Sequence, residues 1–301
     1  MKAIFAPLSY RFQNIYFAAQ SVMGKNFIPW NIQHKPIYDL IDETSAQYLF
    51  CEQQHIDQSV YLAIQEKNIN LVMFGAGVPG ELLAISQPKL LCCPKGVTSH
   101  VKKQLDQLEN KTIYLLDCAN IVPSNKIDLN LTSQVGFLSV SDANEYSDYK
   151  TIVNTIRFLG LQPDIQLKIV GPKILPVPQY LGHIQSNEFA SFYQSVDINL
   201  DFDGKNLLDV AISKAFCLSN VPNKLYPHYS DRVDLIKKIA EYTEKPKARR
   251  KIAKQAFESI IESDTSLSRL SDIFVALNEL EMDNICTMKY EEMVDEIRNN
   301  D

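Results

Sequence analysis

Short apolar runs alternate with helical patterns through the first half of this chain, and this alternation restricts its fold more than any other feature. Apolar runs of strand length predict strands at 2–6, 27–30, 48–51, 71–74, 90–93 and 112–115. Helical patterns at 12–22, 37–41, 57–65, 80–86 and 99–108 fall between them. Strands joined by helices form a parallel sheet with helices on both faces, so the pattern predicts a Rossmann-like α/β domain.

The same organisation repeats after a break in the pattern. The segment 121–132 contains a Pro-Ser-Asn turn and has little periodicity, which predicts a linker, and a second strand–helix series begins near 134. Helical patterns follow at 231–242, 246–262 and 265–280, and an acidic helical tail ends the chain. Because 301 residues favour two domains over one large core, we predict domains at 1–128 and 129–280 and a tail at 281–301.

Composition places the chain among soluble globular proteins and limits its partners. Hydrophobic residues make up 46% and charged residues 22%, and no apolar run approaches the roughly 18 residues of a membrane span. The net charge of −6 provides no general attraction to nucleic acid. The six cysteines have neither a metal-binding spacing nor a disulfide framework, which predicts reduced thiols in a cytoplasmic protein.

The segment 180–220 carries motifs in a specific order. Leu181-Gly182 ends a short predicted strand, the run from Tyr193 to Ile198 joins a helix to the next strand, and a polar loop precedes Asp209 on a helix. In open α/β sheets, ligands bind where strands end and helices begin. The segment therefore predicts a ligand site at 182–183, 201–206 and 209.

This succession resembles the nucleotide-binding half of GT-B glycosyltransferases, especially their CgeB-like, glycosyltransferase family one branch. The similarity extends to 135–138, 167–172 and 264–269, and so covers about half of the chain. It implies two Rossmann-like domains and a final helix that returns to the first of them. It also implies transfer of a sugar from a nucleotide-sugar donor, here a UDP-sugar, to an acceptor hydroxyl without a required cofactor. The acceptor is left open between a glycan, a small molecule, a protein and a modified DNA base.

The resemblance assigns roles to residues by position. Asp201 stands where many retaining GT-B enzymes place a glutamate near the donor sugar, and Asp209 stands where a second glutamate binds the ribose. Asn206 replaces the arginine that usually precedes this second acid, and Lys205 is expected to take over its phosphate contact. The candidate donor-binding residues are Ser9, Arg11, Gly136, Lys168, Lys173, Leu181, Gly182, His183, Lys205, Asn206 and Asp209.

Local chemistry gives reasons for several of these assignments. Ser9 and Arg11 begin the helix after the first strand, and a helix N-terminus attracts phosphate. Gly136 would let a diphosphate approach the backbone, and Lys168 or Lys173 would neutralise its charge. The backbone at 181–183 is where the related proteins recognise the base.

Sugar transfer by inversion also needs a base that removes the acceptor proton. His55 and Asp57 follow the third predicted strand and are the candidates, although Asp57 is equally suited to capping the next helix. The predicted catalytic residues are therefore His55, Asp57 and Asp201.

Two motifs leave other functions open. The run Gly75-Ala-Gly-Val-Pro-Gly80 has the GxGxxG spacing of a dinucleotide-binding turn, which would favour an NAD-dependent oxidoreductase. Asp201-Phe-Asp203 has the spacing of a divalent-metal site, with a helix-capping loop as the alternative. A glycosyltransferase-like protein that binds nucleotide or glycan without turnover is the remaining alternative.

Overall fold

A computed structural model describes residues 1–75, 86–94, 111–115, 118–119, 133–139, 149–171, 174–184, 188–262 and 264–299. The chain forms two compact units, one made of Met1–Val122 and Asp264–Asp301, the other of Pro123–Ser263. Each unit contains a parallel sheet and helices. The predicted α/β fold with two Rossmann-like domains and a helical C-terminal segment is therefore confirmed.

The sheet of the first unit has six described strands, all parallel, in the order β2-β1-β3-β4-β5-β6. They are β1 Ala3–Phe5, β2 Phe27–Pro29, β3 Tyr48–Glu52, β4 Asn70–Phe74, β5 Leu90–Pro94 and β6 Lys111–Leu115. Each predicted strand is present within one residue at either end. The order reverses between β1 and β3, and the carboxyl ends at such a reversal are where open α/β sheets bind ligands.

Three helices of the first unit's N-terminal part are described: α1 Tyr10–Met23, α2 Ile37–Thr44 and α3 Gln58–Lys67. Residues from α2, α3 and the strands form one buried core, which includes Leu40, Val60 and Leu71. Burial of each such side chain contributes about 1.5–3 kcal/mol, which explains why the apolar runs predict the strands well. The helix predicted at 99–108, most of that at 80–86 and the linker at 121–132 lie outside the described residues.

The sheet of the second unit has the order β11-β10-β7-β8-β9, and its described strands are also parallel. They are β7 Ser133–Leu138, β8 Leu167–Val170, β9 Tyr180–Gly182, β10 Val196–Asp201 and β11 Cys217–Ser219. Its helices are α4 Tyr149–Gly160, α5 Phe189–Ser195, α6 Leu207–Ile212, α7 Arg232–Thr243 and α8 Pro246–Ile261. The strand order reverses between β7 and β10, so the polar loop after β10 lies at this reversal.

Gly136 has a packing role that differs from the predicted one. It lies inside β7, where it pairs with Asn199 of β10 and Lys168 of β8. A Cβ atom at this position would meet the two Cγ atoms of Val196 at 2.8 and 2.9 Å and Phe192 Cζ at 3.0 Å. The missing side chain therefore makes room for these core residues, and the approach of a diphosphate at Gly136 stays a prediction.

The last two helices, α9 Ser266–Leu277 and α10 Leu280–Asn299, belong to the first unit, whereas the resemblance implies this return for the final helix alone. Both pack against α1. Ala119 joins this returning segment to the first unit, because its N–H donates to Asp264 O and its carbonyl accepts from the Ser266 N–H, both at 2.8 Å. Residues 264–280 thus lie in the first unit, although the sequence placed them in the C-terminal domain.

Candidate functional site

The carboxyl ends of the strands in the second sheet bring several predicted donor-binding residues to one edge. The strand register places Val170 beside Leu138 and Gly182, and Asp201 beside Ser219. We call this region the donor edge and define it as residues 138–139, 171, 182–183, 201–206 and 219–220. Its position matches the ligand-binding edge of open α/β sheets.

Asp201, the last residue of β10, is completely buried. Its Oδ2 accepts hydrogen bonds from the Gly204 N–H at 2.9 Å and the Ser219 hydroxyl at 2.8 Å, and its Oδ1 accepts from the Asn206 N–H at 3.4 Å. Burial raises the pKa of this carboxyl to about 6, and the nearby Asp203 adds to the rise, whereas the three hydrogen bonds oppose it. The carboxylate therefore faces its own loop.

Asn206 connects this loop to the neighbouring strand. Its side chain is buried, and its Nδ2 donates to the carbonyl of Leu138, at the end of β7, at 3.2 Å. This amide therefore ties the loop after β10 to the end of β7. This contact has no local signal in the sequence, because the two residues are far apart along the chain.

Lys205 is the positive residue of the same loop. Its Nζ lies 3.4 Å from Asp203 Oδ2, and its side chain is 31% exposed. The backbone N–H of Lys205 also donates to Asp203 Oδ1 at 3.2 Å. Asp209 lies nearby in the first turn of α6 and is partly buried. Lys205 therefore places a partly exposed cation within the loop after β10, and Asp209 places a partly buried carboxylate shortly after this loop.

Two glycines shape the donor edge after β8 and β9. Gly171 has φ +145°, and a Cβ atom there would lie 2.3 Å from the Ser139 carbonyl oxygen. Gly182 has the same φ, but a Cβ there would meet nothing within 4 Å. The N–H of Gly171 donates to the Gly182 carbonyl at 3.1 Å. Ser139, packed against Gly171, is fully buried, and its Oγ has no hydrogen-bond partner among the described residues.

The other predicted donor-binding residues of this unit have varied positions. Leu181 lies on the edge strand β9 and is 55% exposed, and His183, which directly follows this strand, is also exposed. Lys168 lies two residues before the end of β8, about 7 Å from the donor edge along the strand. Lys173 lies outside the described residues.

In the first unit, the carboxyl ends of β1 and β3 are joined by Glu52, a residue that sequence reasoning missed. The Ser9 N–H donates to Glu52 Oε2 at 2.7 Å, and the Ser9 hydroxyl donates to Glu52 Oε1 at 2.6 Å. Glu52 is buried, and Ser9 is the N-cap of α1. The helix N-terminus already has a carboxylate beside it, which disfavours the predicted phosphate contact at Ser9. Arg11 lies in α1, and its side chain is not among the described ones.

His55 and Asp57 have structural roles that do not favour the predicted acceptor base. His55 Nδ1 accepts the Glu52 N–H at 3.2 Å, so the neutral ring carries its proton on Nε2 and has no free basic nitrogen. Burial lowers the pKa of His55, although Glu52 opposes this. Asp57 is the N-cap of α3 and accepts from the Val60 N–H at 2.9 Å and the Ser59 hydroxyl at 2.7 Å, and the Ser59 bond is the main reason that its pKa is lowered.

The Ser9–Glu52 pair gives a first prediction. Glu52→Gln should reduce the free energy of unfolding by about 1.5 kcal/mol, because charge-assisted bonds to two donors become neutral ones. Ser9→Ala should cost about 1 kcal/mol. Chemical denaturation of both variants and the double variant checks this. The coupling should exceed about 0.5 kcal/mol, and strictly additive losses would contradict the paired arrangement.

The alternatives based on metal and on dinucleotide binding stay predictions. Among the described residues, no group of three or more His, Cys, Asp or Glu side chains could hold a metal ion. Both oxygens of Asp201 already accept hydrogen bonds from the protein. Of the GxGxxG motif, only Gly75 is described, and its φ is +151°. None of the helices described is long and apolar enough to cross a membrane.

Residues 150–274 match a protein-family model described as glycosyl transferase-like. The matched segment contains the donor edge from β8 to β11. This segment is similar to glycosyl transferases. The predicted relationship to GT-B glycosyltransferases, and with it the prediction of a glycosyltransferase enzyme, is confirmed. The CgeB-like branch and the cytoplasmic location stay predictions.

Solved structures of similar fold cover nearly the whole chain. HepE of Anabaena, in complex with UDP and glucose, is 10% identical, covers 93% of this chain and 100% of its own, and has a TM-score of 0.61. Sucrose-phosphate synthase of Thermosynechococcus elongatus is 8% identical, with coverage of 93% and 99% and a TM-score of 0.60. UDP-GlcNAc 2-epimerase of Neisseria meningitidis, bound to UDP-GlcNAc, is 12% identical, with coverage of 93% and 100% and a TM-score of 0.53. These identities support the fold alone. No curated protein matches the chain.

Proposed function

We propose that this glycosyltransferase binds a UDP-sugar at the donor edge and transfers the sugar to a hydroxyl group of an acceptor. The observation that carries the proposal is the match of residues 150–274 to the glycosyl transferase-like family, since this segment includes the polar loop after β10 at the strand-order reversal. The bound UDP and UDP-glucose of HepE favour uridine as the base and a hexose as the sugar. One neighbour is an epimerase, so the family match, and not the fold, favours transfer.

The chemistry proposed for the donor edge is electrostatic. When the bond between the sugar and the diphosphate breaks, negative charge develops on the phosphate oxygens. Lys205, 31% exposed at this edge, would stabilise this charge, and a preorganised cation does so without reorganising at the moment of reaction. Asp209 would bind the ribose hydroxyls, as its position relative to the family motif suggests.

The first unit would bind the acceptor, and its identity stays open between a glycan, a small molecule, a protein and a modified DNA base. The Ser9–Glu52 pair lies at the strand-order reversal of that unit, where open sheets bind ligands. We place no acceptor base on His55, whose Nδ1 accepts the Glu52 N–H, or on Asp57, whose Oδ1 caps α3.

Thermal unfolding with UDP, GDP, CMP, ADP and NAD, each with and without Mn²⁺, tests the proposal. UDP at about 100 times its Kd should raise the free energy of unfolding by about 2.7 kcal/mol, because it binds only the folded state. Stabilisation by NAD alone, or by none of the five, would contradict the proposal. Release of UDP from UDP-sugars by the same sample separates an enzyme from a binding protein without turnover.

A further inference from the structure

We propose that Asp201 is a positioning residue that holds the loop 202–206 in its donor-binding shape and does not touch the donor sugar. The inference rests on the proposed function, and it replaces the catalytic role that the sequence assigned to Asp201. Its basis is the complete burial of this side chain and the direction of its three hydrogen bonds, all of which lead into the loop or to β11.

A single carboxylate links the ends of three strands. Oδ2 accepts hydrogen bonds from the Gly204 N–H and from the hydroxyl of Ser219 at the end of β11. The chain turns at Gly204, which has φ +81°. Oδ1 accepts a hydrogen bond from the N–H of Asn206, and the side chain of Asn206 donates to the carbonyl of Leu138 at the end of β7. Lys205 lies between these two anchored amides. The position of the loop's cation is therefore set by Asp201, although Asp201 itself has no exposed surface.

The ionised form of Asp201 is unfavourable for folding, which supports a functional reason for its presence. Its folded-state pKa, about 6, lies above the ordinary value of 3.8, mainly because of burial. A raised pKa means that the stability this carboxyl contributes is present below pH 3.8 and is lost as the pH rises towards 6. Asp203, Cys217 and Tyr229 also face it, and none of them supplies a positive charge. Proteins accept such local conflicts mostly at functional sites.

The substitution Asp201→Asn tests the inference, because asparagine keeps the shape but turns an N–H group towards hydrogen-bond donors. We expect the Kd for UDP to rise at least 10-fold and amide hydrogen exchange at Gly204 and Asn206 to accelerate at least 10-fold. Because UDP lacks the sugar that is transferred, a residue that touched only that sugar would leave the UDP affinity unchanged. The control is Asp197→Asn, at the opposite end of β10 and 53% exposed, which should change neither quantity.

Each outcome of this experiment decides whether Asp201 positions the loop or contacts the donor sugar. Unchanged UDP affinity with reduced binding of the UDP-sugar would overturn the positioning role, and so would unchanged exchange at both amides. If the unsubstituted protein binds no nucleoside diphosphate, the proposed function fails, and the exchange rates still show whether Asp201 holds the loop. If Asp201→Asn does not fold, Ser219→Ala is used instead, because it removes one of the three hydrogen bonds to Asp201. We expect Ser219→Ala to lose about threefold in UDP affinity. An unchanged UDP affinity in this variant would contradict the inference.

Discussion

Gly171→Ala is expected to reduce the free energy of unfolding by about 2–6 kcal/mol. Its φ of +145° is strained for any residue with a Cβ atom, which costs about 1–3 kcal/mol. In addition, the new Cβ would lie 2.3 Å from the Ser139 carbonyl oxygen, a backbone atom that cannot turn away as a side chain can. Overpacking of this kind costs about 1–3 kcal/mol more.

Gly182→Ala is the matched control for this change, because Gly182 has the same φ and open space around the position of the Cβ atom. Chemical denaturation should show a loss of about 1–3 kcal/mol for Gly182→Ala and a clearly larger loss for Gly171→Ala. Equal losses would contradict the close approach of the β7 and β8 ends at the donor edge. Gly171→Ala should also weaken UDP binding, because the strand ends that form this edge must move apart.

Arg269→Ala is expected to cost about 3 kcal/mol of stability in the first unit. The Arg269 side chain is 10% exposed, and its Nη2 donates to Asp264 Oδ1 at 2.7 Å. Removal of the guanidinium leaves the Asp264 carboxylate, 31% exposed, without its partner and removes the packing of the buried stem. Partial exposure of Asp264 keeps the effect below that of a fully buried pair.

Asp272 provides the control for the Arg269 prediction. Its carboxylate lies 3.4 Å from Arg269 Nη1 but is 57% exposed, so Asp272→Ala should cost no more than about 0.5 kcal/mol. Thermal and chemical unfolding of both variants measure the difference. A loss for Arg269→Ala no larger than that for Asp272→Ala would contradict a stabilising role of the Arg269–Asp264 pair at the start of the returning segment.

The sequence predicts the strands of this protein closely because each is a short apolar run that must be buried in a parallel sheet. The helices α1, α7 and α8 follow equally from their patterns and from caps such as Asp231, whose carboxylate accepts the N–H groups of Val233 and Asp234. The order of motifs from Leu181 to Asp209 was also sufficient to indicate a glycosyltransferase. Local patterns of this kind carry the information that fixes elements and their sequence order.

The sequence could not predict contacts between distant parts of the chain. Ser9 and Glu52 are 43 residues apart, and only the parallel pairing of β1 and β3 brings them together. The same limit applies to Asn206, whose partner is a carbonyl at the end of β7, 68 residues earlier. A helical pattern likewise does not specify which unit a helix joins, so the sequence assigns residues 264–280 to the C-terminal domain, whereas they lie in the first unit. A charged residue at the end of an apolar strand, as Glu52 is at the end of β3, is the local signal that could have indicated a buried polar contact at this sheet edge.

Calorimetric titration of UDP into the purified protein and into Asp209→Ala tests the central claim most directly, namely that the donor edge binds a nucleoside diphosphate. We expect saturable binding to one site and at least 10-fold weaker binding by Asp209→Ala, equivalent to a loss of about 1.4 kcal/mol. Asp197→Ala, which changes a carboxylate at the other end of β10, should bind UDP as the unsubstituted protein does. Absence of binding, or equal affinity in Asp209→Ala, would contradict the account.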